Sequence, residues 1–378
     1  MANKMFQRLS STPEILETFS DANFAQSMLE VEVSVVHALA MMGVCSRETS
    51  DLIVSCCNID NFDIDNLIEQ SAKNGTIVVP FVQQLTELVD KVDPHASVYV
   101  HYGITSQDVI DTAMVLQLKK AFSLIESDIL SIKSSLKKLS DENSKTLMVG
   151  RTLLQPSAPV TFGQKTKGWL QAITFDWDRI ERDAESAFVV QMGGAVGNLS
   201  AFGTQGNKFR SFCAQYLNIG DSGDSWHVYR NNLISYCSSV SMLVGSLGKI
   251  AKDLSLLLQA EVAEVTLSGA SGKGGSSAMP HKNNPVGCLV ALSAASRAPH
   301  LLSNLFSTIA HEHERALGGW QSEWVTVPGI IKAAAGACRA MSETCQEIKP
   351  DREKMRDNLD SLNGVVMSEC LTLALAEK

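Results

Sequence analysis

The placement of proline constrains this chain more than any other feature. Ten prolines occur in 378 residues, and none falls between Pro94 and Pro156 or between Pro159 and Pro280. Proline removes a backbone donor and clashes with the preceding helical turn. Long proline-free stretches with apolar periodicity therefore read as long helices. Residues 110–141 and 157–187 are two such stretches, rich in good helix formers. Residues 231–267 are the third, with Leu233, Cys237, Val240, Val244, Leu247, Ile250, Leu254 and Leu257 among its apolar positions. As one helix this last stretch spans roughly 55 Å at ~1.5 Å per residue. A small domain cannot bury such a rod, and its apolar residues occupy more than one face, which calls for neighbours around most of it. Ser241, Gly245 and Gly248 would let those neighbours approach closely. Shorter helices broken at Gly245 or Gly248 remain the alternative, since glycine costs only ~1 kcal/mol inside a helix.

Strand signals are weak: residues 76–79 and 188–191 are short β-branched or aromatic runs outside any alternating series. The expected fold class is all-α, a long central helical bundle with small flanking helical domains that continues across subunits. The expected division is a helical domain over 1–100, the bundle over 101–350, and the start of a short or truncated C-terminal domain over 351–378.

Composition narrows the partners. A net charge of −9 disfavours a general nucleic-acid binder. Nine scattered cysteines without a CxxC suggest reduced thiols, not a disulfide framework or zinc site. The first residues lack the apolar core of a signal peptide. Lys249, Lys252 and Asp253 interrupt the best candidate for a membrane span. The expectation is a cytoplasmic protein with neither membrane nor nucleic-acid partners.

Five segments could carry chemistry. Residues 274–285, Gly-Gly-Ser-Ser-Ala-Met-Pro-His-Lys-Asn-Asn-Pro, put hydroxyls, an ammonium and an amide on a loop whose glycines let it bend over a ligand. Residues 101–113 open on His101 and carry Thr105, Ser106 and Gln107; Thr105 or Ser106 either caps the following helix or offers its N-terminus to an anion. Residues 150–159 hold Arg151, able to take a carboxylate with both arms of its guanidinium, beside Thr152 and Gln155. Residues 191–198 contain Gly193 and Gly194, whose amides could approach a ligand or whose smallness could serve helix packing. Residues 311–324 hold His311, His313, Arg315, Trp320 and Trp324. His311 and His313 stand two apart and could not ligate a metal from one helix face, whereas His311 and Arg315 could share a cationic face. No P-loop, dinucleotide fingerprint or HExxH is present.

Taken in order, H-x-G-x-T-S-Q-D, G-R-T-x-x-Q, G-G-A-V-G and G-S-S-x-M-P-x-K-x-N-P resemble the signatures of the fumarase/aspartase superfamily from about residue 15 onward. Within it the chain is most similar to the lactone-forming cycloisomerase branch. The alternative is a carbon–nitrogen lyase like adenylosuccinate lyase. That enzyme uses a histidine after G-R-T and another near the end of its first domain. Here Leu153 takes the first position, and residues 76–79 offer none for the second.

The resemblance implies a homotetramer with active sites shared between subunits, a small polycarboxylate substrate, and neither metal nor organic cofactor. It implies that Ser276 or Ser277 moves a proton, leaning to Ser276, and that Lys282 with Asn284 stabilises the developing charge. Thr105 and Ser106 would take a second carboxylate. His101, Gln107, Arg151, Thr152, Gln155, Gly194, Met279 and Arg315 would complete the substrate contacts. It also implies a further helical C-terminal domain, where this chain stops at Lys378.

Overall fold

The computed structural model describes residues 4–268, 274–275, 279 and 282–376. Five long helices form a bundle: α2 (Ser106–Glu142), α3 (Phe162–Ala187), α4 (Asn231–Leu257), α5 (Val286–Ser307) and α6 (Gly319–Glu347), with α1 (Asp21–Met41) packed beside α2. The 37 residues of α2 extend ~55 Å and the 27 of α4 ~40 Å. Leu118, Ile125, Ile129, Ile132 and Leu136 of α2 and Cys237, Leu243, Leu247, Ile250 and Leu254 of α4 belong to one continuous core, all at most 3% exposed. α4 runs unbroken through Gly245 and Gly248. A Cβ on Gly248 would lie 2.5 Å from that of Ala295, so α4 and α5 pack closely there, while Gly245 faces open space.

A second core joins α1, the helices Arg47–Cys56, Ile64–Asn74 and Val78–Asp90, and the start of α2. It also takes in Phe209 and Cys213 of the helix Gly206–Leu217, and Trp320 of α6. Its apolar cover thus draws on chain well beyond residue 100.

Several expected boundaries move. The helix expected from residue 157 begins at Phe162, because the preceding residues form β2 (Gln155–Thr161), which pairs antiparallel with β1 (Leu147–Thr152). The helix expected to reach residue 267 stops at Leu257. After a turn the chain forms β3 (Val265–Leu267), antiparallel to β4 (Ile348–Pro350). Of the two weak strand signals, Val78 starts a helix with Pro80 in its first turn, where no backbone donor is needed. Val189–Val190 does pair, parallel, with Gly220–Asp221. α4 is apolar enough to cross a membrane (mean hydropathy 1.3), since its charges crowd the C-terminal third, yet 61% of that window is buried in the bundle.

The bundle has two chemically different ends. The N-termini of α2, α4 and α6 meet at one, where Arg230, just before α4, bridges Asp111 of α2 and Glu323 of α6. At the other end lie the β1–β2 hairpin, the β3–β4 ribbon and the start of α5, where Gly287 touches Thr344 in the last turns of α6.

Candidate active site

At the first end, one buried carboxylate organises the backbone. Asp108, with no exposure, accepts the N–H of Thr105 (3.0 Å), Gly193 (2.8 Å) and Gly194 (2.8 Å), and pairs with His227 Nε2 at 2.7 Å. It therefore both caps α2 and clamps the 191–198 loop against it. Gly194 sits at φ 68°, and a Cβ there would lie 3.1 Å from the Gly103 carbonyl, so the close approach of the two loops needs glycine. The sequence reading had the Gly194 amide available to a ligand. Here it is committed to Asp108, and the residue shapes the wall of the site.

Arg315 reaches this corner from the loop between α5 and α6. Its guanidinium donates to Thr105 Oγ1 (2.9 Å) and to the Ala195 carbonyl (3.2 Å). Residues 311–315 are loop, so the expected pairing of His311 and Arg315 on a helix face does not form. His311 instead turns toward Glu323 (3.5 Å), with its side chain wholly buried. Ser106 begins α2 and is half-buried. Gln107, expected at the ligand, points into the core: it has no exposure and donates to the His227 carbonyl (2.8 Å) and to Asp111 (3.2 Å). His101 lies at φ 56°, its Nδ1 2.7 Å from the buried carboxylate of Glu32 on α1. Burial of the ring opposes its charging, but Glu32 and then Asp108 outweigh that, and its pKa is raised above the ordinary value.

Beneath this corner lies an ion cluster. Arg230, 1% exposed, donates to both oxygens of Asp111 (2.7 and 3.0 Å) and to Glu323 (3.1 Å). Trp320 Nε1 adds a bond to Asp111 at 3.0 Å. Burial raises the Glu323 carboxyl, but Arg230 and His311 more than offset it and hold it below its usual range. Sequence reasoning passed over Arg230, His227 and Glu32. The one available signal was Trp226-His227-x-x-Arg230, polar residues placed directly before a long apolar helix.

The remaining candidates sit at the opposite end. Arg151 makes a two-armed pair with Glu264 (2.9 and 2.7 Å), which has no exposure and also accepts from Asn358 (3.0 Å). The guanidinium expected to clamp a substrate carboxylate is thus engaged within its own chain. Thr152 and Gln155 are exposed and flank a two-residue turn, Leu153-Leu154, at φ 50° and 64°. Met279 and Lys282 are exposed, and the Asn284 side chain donates to the Gly274 carbonyl (3.0 Å), pinching the loop at its base. Ser276 and Ser277 lie outside the described residues.

The site candidates therefore fall into two groups separated by the length of the bundle, ~40 Å along α4. His101, Thr105, Ser106, Gly194 and Arg315 form one group; Arg151, Thr152, Gln155, Lys282 and Asn284 the other.

Comparison with known proteins gives consistent results. A family profile described as Lyase matches residues 7–299. The chain is 38% identical over 376 residues to a 3-carboxy-cis,cis-muconate cycloisomerase of Pseudomonas putida, spanning 100% of this chain and 89% of that one. It is 35% identical over 376 residues to the enzyme of the same name from Acinetobacter baylyi, spanning 99% and 83%. Among solved structures it is similar to the 3-carboxy-cis,cis-muconate lactonizing enzyme from Pseudomonas putida, with a TM-score of 0.94 and 38% identity over 99% of this chain and 84% of that one.

Proposed function

The chain belongs to the Lyase family, and from that membership we infer that it is a 3-carboxy-cis,cis-muconate cycloisomerase. The observation that carries this is likeness along the whole chain, in sequence and in fold, to enzymes of that name. The reaction is an isomerisation. One substrate carboxylate adds across an activated double bond, and the adjacent carbon takes a proton. The intermediate is an aci-carboxylate, so positive charge must stand ready before it forms. Lys282 and Asn284 are proposed to meet that dianion, with Ser276 or Ser277 moving the proton once the glycine-lined loop closes. Thr105, Ser106 and Arg315 are proposed to hold a second carboxylate.

Two groups of residues ~40 Å apart cannot act on one small molecule within one chain. The corresponding proposal is a homotetramer whose sites take one end from one subunit and the opposite end from another. Exposed Phe175 and Met242 on α3 and α4 and the open face of Gly245 supply a surface for that assembly.

Loss of the muconate diene absorbance on adding 3-carboxy-cis,cis-muconate tests the activity directly. The expected outcome is stoichiometric lactone. Fumarate released from adenylosuccinate, with the muconate untouched, would replace this reading by the lyase one. Leu153 speaks against that alternative, since it stands where a lyase of that kind carries an imidazole.

A further inference from the structure

The Glu32 carboxylate is completely buried, and among the described residues both of its hydrogen bonds come from His101: the backbone N–H at 3.1 Å and ring Nδ1 at 2.7 Å. A buried carboxylate needs a compensating donor or charge. A core glutamate directed wholly at one histidine 69 residues away is therefore a device for that histidine. It also holds His101 in a left-handed backbone conformation that L side chains resist. With Nδ1 turned to Glu32, Nε2 is the ring nitrogen left for another partner, and 19% of the side chain is exposed. His101 stands four residues before Thr105, on the loop whose Gly103 carbonyl abuts Gly194.

We propose that Glu32 is a positioning residue for the reaction, keeping His101 a correctly aimed cation that presents Nε2–H to a substrate carboxylate beside Thr105 and Arg315. The assignment rests on the cycloisomerase reading for its substrate. The ionisable neighbours are consistent with it. Asp108 on α2 adds a smaller electrostatic pull in the same direction as Glu32. Cys57, following the helix Arg47–Cys56, is pushed up to about 12 by burial and then by Glu32 itself. Cys213, on the helix Gly206–Leu217, is raised further still by burial. Both thiols stay neutral; Glu32 is directed at His101, whereas Asp108 is already paired with His227 Nε2, and Arg315 adds a cation at Thr105. Because the His101 pKa is raised, its positive charge persists to higher pH than in an ordinary histidine. Substrate binding is strongest below that value and weakens as pH rises through it.

The test is a pH series of kcat and KM for the wild type, Glu32→Gln and Glu32→Asp, with carbon-13 titration of the His101 ring read independently of substrate. In Glu32→Gln the ring inflection is expected to fall by about one pH unit, and KM near neutrality to rise on the order of tenfold, the size of a lost charge-assisted hydrogen bond. The fall in kcat should be smaller, and Glu32→Asp should recover part of the KM effect. An unchanged ring inflection, or a KM rise independent of pH, overturns the proposal. If Glu32→Gln does not fold, a wild-type His101 that titrates below the ordinary histidine value overturns it equally. A wild type inert toward the muconate refutes the proposed function instead and leaves the ring titration to decide the Glu32–His101 coupling.

Discussion

The two ends of the helical bundle solve opposite problems. At the N-terminal end of α2, charges are buried and matched within the chain: Asp108 has its backbone donors and His227, and Arg230 sits between Asp111 and Glu323. At the other end, the hairpin tip puts Leu153 and Leu154 into solvent (97% and 73% exposed) in a turn that both residues adopt with difficulty. Two consecutive positive φ angles in a two-residue hairpin are normally the place of Asn-Gly. Apolar side chains on a strained, exposed tip, at the same end as an exposed Lys282, form the surface that the proposed assembly would cover. One end matches its buried charges within the chain, and the other exposes apolar side chains that the proposed assembly would cover.

Breaking the first end should show in stability. Arg230→Met leaves two carboxylates buried without their cation, and should cost about 3–5 kcal/mol in denaturant unfolding. A loss below about 1 kcal/mol would mean that the cluster is not self-balanced. Changing the second end should show in activity. Lys282→Ala should lower turnover by roughly 10²–10³-fold, as when one preorganised stabiliser of a developing anion is removed. Its unfolding free energy should move by no more than about 0.5 kcal/mol, as for an exposed position. Substituting Asn-Gly for Leu153-Leu154 sharpens the contrast. The turn becomes favourable, so the isolated chain should gain about 1 kcal/mol, while oligomer content by light scattering, or turnover, falls. If stability and activity rise together, the tip has no partner.

The sequence made the central helices legible because they are long and periodic. Residues 110–141 come within a few positions of Ser106–Glu142, and of the two expected caps, Thr105 and Ser106, it is Thr105 that stands at the start. The β1–β2 hairpin stayed hidden for a physical reason: its turn lacks glycine and asparagine, and Pro156 and Pro159 argue against a strand unless it lies at an edge, as β2 does. The extent of α4 was overestimated because Val262, Val265 and Leu267 continue its apolar composition after the helix has ended. Side-chain roles were the least accessible. Nothing local to Arg151 announces Glu264, 113 residues away, and nothing near Gln107 announces that it turns inward to His227. Thr105 and Arg315 share a corner, although the sequence reading assigns them to different substrate carboxylates.

Asp108 also sets an order for biosynthesis. Its donors include Gly193, Gly194 and His227, the last 119 residues downstream. At roughly 5–20 residues per second a ribosome needs about 6–24 s to supply that final imidazole. Until then the front of α2 emerges with an unquenched anion at the place where the polypeptide must later fold back on itself. Asp108 is thereby fully matched only after α2 and α3 have been made, and while α4, α5 and α6 are still to come.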